Sequence, residues 1–272
     1  MKLILILCAF MIHFSTHAQD APYSFSKKTD AIISTTLLAG TASYWFLQKN
    51  ITPLTSTDIA NLSTASIHSF DRNTTSLYNP NHTKISKQIA AVGFIGAVGV
   101  QGITLVAAAT FSQSYKQHFG ILATMWLQTN VAAYVGTGIC KAATLRTRPY
   151  VYNLNAPLSE KTTADARQSF FSRHTSMAAA NTFLAAHVIS SYYTPSPFTY
   201  SVWTAAAIVP AAVGYFRVSS GEHFPTDVIA GYIYGAGCGL LIPYVHTLHK
   251  KDNSHVRINI LSPEYVSVSF VW

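Results

Sequence analysis

Charge is what this sequence has least of. It carries 18 basic and 10 acidic residues, and the four charged types make up 10% of 272 positions, against roughly 25% in a soluble domain. Ile89–Tyr115 and Phe119–Cys140 contain no Asp, Glu, Lys or Arg, and each is long enough to cross a bilayer. The shortage argues against an ordinary soluble fold. Ten carboxylates, with no compact His/Cys/carboxylate set at metal spacing, argue against a two-metal hydrolase, so neither metal nor other cofactor is expected. No Lys/Arg run is interleaved with aromatics, which argues against nucleic acid despite the balance of +8. Three cysteines are too few for a disulfide scaffold. Cys140 and Cys238 sit in apolar stretches and read as two buried free thiols.

Apolar residues fill the space that charge leaves, at 49% of the chain. Lys2, an apolar stretch from Leu3 to Phe14 and small residues ending at Ala18 have the layout of a secretory signal peptide over 1–18, with a retained anchor as the alternative. Six apolar segments follow, near 30–47, 88–113, 119–140, 175–192, 200–216 and 226–247. They predict an all-α fold, a six-helix bundle embedded in a membrane, although frequent Ala, Ser, Thr and Gly would also suit a buried soluble bundle. Around the helical core, 88–250, residues 19–87 form an N-terminal helix and a polar connection. Residues 251–272 form a tail that alternates apolar and polar from His255 to Trp272 and reads as a short β-hairpin turning at Ser262-Pro263-Glu264.

Three short pieces carry chemistry. Lys141 is followed by six residues and then Arg148-Pro149. If the helix runs on to Arg148, where Pro149 stops it, both cations share one face two turns apart. Alone, such a pair is also an ordinary basic helix end held to lipid headgroups. Phe171-Ser172-Arg173-His174 precedes the fourth segment, so Ser172 is either a plain N-cap or part of an anion-binding helix start. Arg217, His223 and Asp227 follow with five and three residues between them. Pro225 suits the first turn of the last helix, from which Asp227 can either cap the helix or reach back to one imidazole nitrogen and leave the other free to attack.

In this order the pieces resemble the type 2 phosphatidic acid phosphatase superfamily, which includes bacterial class A acid phosphatases and vanadium haloperoxidases. Its signature is Lys-x6-Arg-Pro, Pro-Ser-Gly-His and Ser-Arg-x5-His-x3-Asp. Lys141, Arg148 and Pro149 match the first part, Ser172 and His174 the second, and Arg217, His223 and Asp227 the third, over about residues 88–247. Phe216 replaces the Ser before Arg217, and Phe171 and Arg173 replace the Pro and Gly of the second part.

The resemblance implies a metal-independent phosphatase. His223 would attack phosphorus, Asp227 would orient it, and His174 would protonate the leaving oxygen and then activate water. Lys141, Arg148 and Arg217 would neutralise the phosphoryl oxygens, with Ser172 and the Arg173 N–H assisting and the Arg173 guanidinium expected to touch substrate. The partners implied are a phosphorylated lipid or other phosphate ester and a membrane, in a bacterial-type cell envelope with the site facing outside the cytoplasm. For that orientation the first apolar segment, barely long enough to cross, is expected to stop short. Two alternatives remain: a vanadate-dependent haloperoxidase using the same residues, and a non-catalytic protein that binds phospholipid headgroups, a reading favoured by Arg173.

Overall fold

The structure is a computed structural model that describes residues 22–91, 115–192, 195–251, 256–262 and 265–270. The expected leader and most of the second apolar segment lie outside these residues. Five long helices carry the described part: α1 (Lys27–Lys49), α2 (Tyr115–Thr144), α3 (Arg173–Tyr192), α4 (Pro197–Ser219) and α5 (Pro225–Lys251). Residues 80–91 are helical as well. Two strands, β1 (Val256–Ser262) and β2 (Tyr265–Phe270), pair antiparallel with Val256 opposite Phe270.

Local chemistry accounts for the helix starts. The Ser26 hydroxyl accepts from the Thr29 N–H, and Asp30 accepts from the Ser26 N–H, closing the first turn of α1. Ser196 and Thr199 form a reciprocal capping box on α4, with Pro197 in the first turn, where its missing N–H costs nothing. Helix α1 is 23 residues long, about 35 Å, and lies parallel to α2. Asp30 bonds Gln128 near one end, and Tyr44 meets Tyr134 and Gly138 near the other. The first apolar segment packs along α2 in this way, and it is not among the described helices long and apolar enough to cross a membrane.

Helices α3 and α5 run parallel and almost touch. Gly231, Gly235 and Gly239 on α5 face the backbone of Ser172, Ser176 and Ala180; a Cβ at Gly235 would lie 2.0 Å from the Ser176 carbonyl oxygen. Glycine at every fourth position is what permits that approach. The approach lets the Ser172 N–H donate to the Asp227 carbonyl at 3.0 Å, which locks the starts of the two helices together. Deeper in the bundle, the side chains of Asn130 and Asn181 bond each other reciprocally between α2 and α3, at 3.2 and 2.9 Å.

The core lies at two levels. Tyr23, Ile121, Leu122, Met125, Leu184 and Val188 close the end where α1 begins. At the other end Leu54, Tyr150, Val151, Ala156 and Ala166 pack the 50–79 connection onto the loop between α2 and α3. What the sequence presents as polar linkers is thus a cap of short helices and turns with its own apolar centre. Cys140 and Cys238 are both free and half-buried.

Among the described residues, α4 and Pro225–Thr247 of α5 are long and apolar enough to cross a membrane, yet only 28% and 22% of their apolar windows are buried. The helices of a soluble core would be mostly covered. Here Ile208, Tyr215, Ile229, Ile233 and Leu241 face outward, as do Leu38, Trp45 and Phe46 on α1. An apolar surface of this breadth suits lipid rather than water.

Candidate active site

The site forms at the capped end, where α2 and α4 finish and α3 and α5 start. Helix α2 ends at Thr144 rather than at Arg148, because Leu145 takes a left-handed conformation, φ 46°, the usual stop signal of a helix end. Arg148 is extended, and Pro149 opens a 3-10 turn, Pro149–Tyr152. Lys141 and Arg148 therefore do not share a helix face; the chain folds back and brings both inward. Lys141 is buried and its ammonium donates to the carbonyl of Gln168 and, at 3.4 Å, of Ser169. Arg148 is buried too. Its Nε and Nη2 donate to the carbonyl and carboxylate of Asp165 at 2.9 and 2.8 Å, and Nη1 donates to the Glu222 carboxylate at 2.6 Å.

His223 stands in the loop between α4 and α5 and is 1% exposed. Its Nε2 lies 3.4 Å from Arg148 Nη1. Its Nδ1 lies 3.6 Å from Asp227 Oδ2 and has no hydrogen-bond partner. A slight closure of that gap would make the orienting bond, as often happens when a ligand fills such a site. Burial first, and then Lys141, Arg148 and Arg217, push the His223 pKa well below its ordinary value, so the ring is neutral and its lone pair available. Arg217, in the last turn of α4, donates from Nη2 to the same Glu222 oxygen at 3.0 Å, while its Nε and Nη1 are buried without a partner.

His174, half-buried in the first turn of α3, faces this cluster. Burial and the charges of Arg217 and Arg148 lower its pKa to about 3. Ser172 behaves as a cap: its N–H is engaged by Asp227 and its hydroxyl pairs with Thr175 at 3.0 Å. Arg173 departs from expectation. Its guanidinium lies 4.1 Å from the ring of Tyr134 and donates to the Tyr44 hydroxyl at 3.1 Å and to Thr137 at 3.3 Å. The side chain braces α3 against α1 and α2, held there by cation–π attraction, so its guanidinium is engaged by protein groups. Arg173→Gly is accordingly expected to lower stability by about 1–2 kcal/mol and to leave KM within about twofold, as thermal melts and steady-state kinetics would show. A large rise in KM with unchanged melting would contradict this placement.

Several residues of the site were not anticipated from the motifs. Glu222 bridges Arg148 and Arg217. Arg146 donates to Asp227 Oδ1 and, at 2.8 Å, to Asp71; the Ser169 hydroxyl and the Phe224 N–H donate to Asp227 Oδ2. Asp71 also accepts from the N–H and hydroxyl of Thr226 at 3.1 and 2.6 Å. The available signal was scarcity: with ten carboxylates in the chain, an acid directly before His223 and an arginine inside the Lys141–Arg148 interval both call for a reason.

A helical bundle whose buried cations converge on a neutral, carboxylate-flanked histidine defines a protein built to handle an anion at one end of the bundle. A sequence model of the PAP2 superfamily matches residues 119–251, and over that helical core the chain belongs to this superfamily. No curated protein matches the chain. Among solved structures it is similar to LpxE of Aquifex aeolicus, at 20% identity over 65% of this chain and 96% of that one, TM-score 0.41. It is also similar to the first transmembrane PAP2-type phosphatidylglycerolphosphate phosphatase from Bacillus subtilis, at 18% identity over 81% and 98%, TM-score 0.41.

Proposed function

We propose that this protein is a membrane phosphatase that hydrolyses phosphate monoesters or diphosphates of lipids through a phosphohistidine on His223. His223 Nε2 attacks phosphorus, and the bond to the leaving oxygen breaks as His174 supplies its proton. Water, deprotonated by His174, then attacks the phosphohistidine and releases orthophosphate. Lys141, Arg148 and Arg217 offset the charge on the equatorial oxygens throughout, and Asp227 orients the nucleophile through Nδ1. The single observation that supports this reading most is Arg217. It is 2% exposed, with two donors that meet no acceptor among the described residues beside a neutral His223, and a buried guanidinium left open in this way calls for an anion. The uncovered apolar faces of α4 and α5 favour a lipid as its carrier. The guanidinium of Arg173, the feature that favoured mere headgroup binding, is engaged by Tyr44 and Tyr134.

The test is a covalent trap. Protein in detergent is mixed with a radiolabelled phosphate ester in the presence of EDTA and quenched in alkali, where phosphohistidine survives. Label on a peptide containing His223 is expected. Hydrolysis that EDTA abolishes and added divalent metal restores, with no label, would overturn the mechanism.

The depressed pKa of His174 reflects burial and the neighbouring arginines. A bound phosphate brings negative charge and raises it, so the proton needed by the leaving group is held to higher pH in the complex than in the free enzyme. The descending limb of kcat against pH is therefore expected to lie above that of kcat/KM. Coincident limbs would show that His174 does not titrate with substrate binding.

Ser24 N–H donates to the His246 carbonyl at 3.2 Å, so both ends of the described bundle meet opposite the site.

A further inference from the structure

Resting on the phosphatase reading above, we propose that Glu222 is an internal stand-in for the substrate phosphate, seated between Arg148 and Arg217 and passed to Lys87 when phosphate enters. One carboxylate oxygen, Oε2, accepts from Arg148 Nη1 at 2.6 Å and from Arg217 Nη2 at 3.0 Å. The same Arg148 nitrogen is 3.4 Å from His223 Nε2, so this oxygen sits where an oxygen of the attacked phosphate would have to be. All three nitrogens of Arg148 are already engaged, by Asp165 and Glu222. A phosphate oxygen that bridges Arg148 Nη1 and Arg217 Nη2 must take the place of the Glu222 carboxylate, and two anions in one seat repel each other strongly.

A second set of partners lies beside the carboxylate. Its other oxygen, Oε1, already accepts from the Thr83 hydroxyl at 3.3 Å, on the helical stretch 80–91. Thr83, Lys84 and Lys87 line a cavity of about 450 Å³. Lys87, one turn beyond Thr83, lies within electrostatic range of both Glu222 and His174. Glu222 is 17% exposed and Arg217 2%, so the acid has an outlet and the arginine has none. Burial alone would raise the pKa of Glu222, but Arg148, Arg217 and Lys87 together hold it at about 2, so the stand-in stays charged at every working pH.

Such a device favours one ligand over another of similar charge. Free orthophosphate must displace Glu222 with its charge alone, whereas an ester with a long apolar tail brings extra binding energy from outside the seat. The carboxylate also returns to the arginines as the product leaves, which opposes trapping by orthophosphate.

The experiment uses the full chain in detergent, with orthophosphate and orthovanadate as probes read by calorimetry and by inhibition of hydrolysis. Glu222→Gln keeps the side-chain shape and removes the charge; it is expected to tighten orthophosphate by about tenfold or more. Lys87→Ala, an exposed position that should fold normally, is expected to weaken orthophosphate by about threefold in the native background and to have no effect in the Glu222→Gln background. Unchanged or weaker binding in Glu222→Gln overturns the stand-in. An equal effect of Lys87→Ala in both backgrounds overturns the hand-over. If Glu222→Gln fails to fold, Lys87→Ala alone decides, since undiminished affinity contradicts the proposal. Native protein that hydrolyses no ester and binds neither anion would overturn the phosphatase reading itself, an outcome distinct from the others.

Discussion

His223→Ala is expected to lower kcat by about 10⁴-fold or more while the protein still binds orthophosphate. The ring is the proposed nucleophile: it is buried, neutral and 3.4 Å from a guanidinium of the proposed phosphate seat. Arg148 and Arg217 reach that seat from other elements, so removing the imidazole takes away the nucleophile and leaves the cations in place. Binding and chemistry should therefore separate, and calorimetry with orthophosphate beside single-turnover kinetics checks both halves. His174→Ala provides the contrast. Its role is proton transfer, worth about 10²–10⁴-fold where the leaving oxygen is basic and less where it is already stable. Equal losses on an alkyl phosphate and on nitrophenyl phosphate would remove His174 from that role, and residual turnover above about 1% in His223→Ala would remove His223 from its own.

Gly221→Ala is expected to be nearly as damaging, for reasons of geometry alone. Gly221 has φ 76°, and an added Cβ would stand 2.1 Å from the Leu77 carbonyl oxygen. Both the left-handed backbone and the collision must be relieved, at a combined cost of about 2–5 kcal/mol. The loop has little freedom to yield. The Gly221 carbonyl accepts from Tyr150 N–H at 2.8 Å, the Ser220 carbonyl accepts from Asn79 N–H at 3.2 Å, and Glu222 and His223 both donate to the Arg217 carbonyl. A shift large enough to admit the methyl group carries His223 and Glu222 with it. The expected result is a lower melting temperature together with a fall in kcat of about 10²-fold or more; normal turnover in a normally folded variant would show that the loop tolerates movement.

The helical character and the places where chemistry gathers were legible because both are local. Runs without charge read as helices at any register, and Arg217, His223 and Asp227 lie within eleven positions of one another at a helix end and a helix start. The errors arose where the answer lay in another part of the chain. Leu145 ends α2 early by adopting a conformation that its residue type seldom takes, so the helical interval assumed between Lys141 and Arg148 does not exist. Arg173 could be assigned to a phosphate only while Tyr44, 129 positions earlier, was out of view. Asp71 lies in a connection that composition presents as mere linker, and nothing within its own neighbourhood reveals Thr226 or Arg146 as partners. Local pattern reports residue types and helix ends; it does not report which distant side chains are already engaged.

The bond between Asp71 and Thr226 joins positions 155 apart in the chain, and this has a consequence for the order in which the molecule is made. When Asp71 leaves the ribosome, neither Arg146 nor the start of α5 has been synthesised. Its carboxylate, 1% exposed in the finished protein, must stay hydrated until both arrive, since burying it alone would be prohibitive. The cap at residues 50–79 therefore cannot settle early and wait. It closes only when the last long helix has been inserted and turns Thr226 toward it.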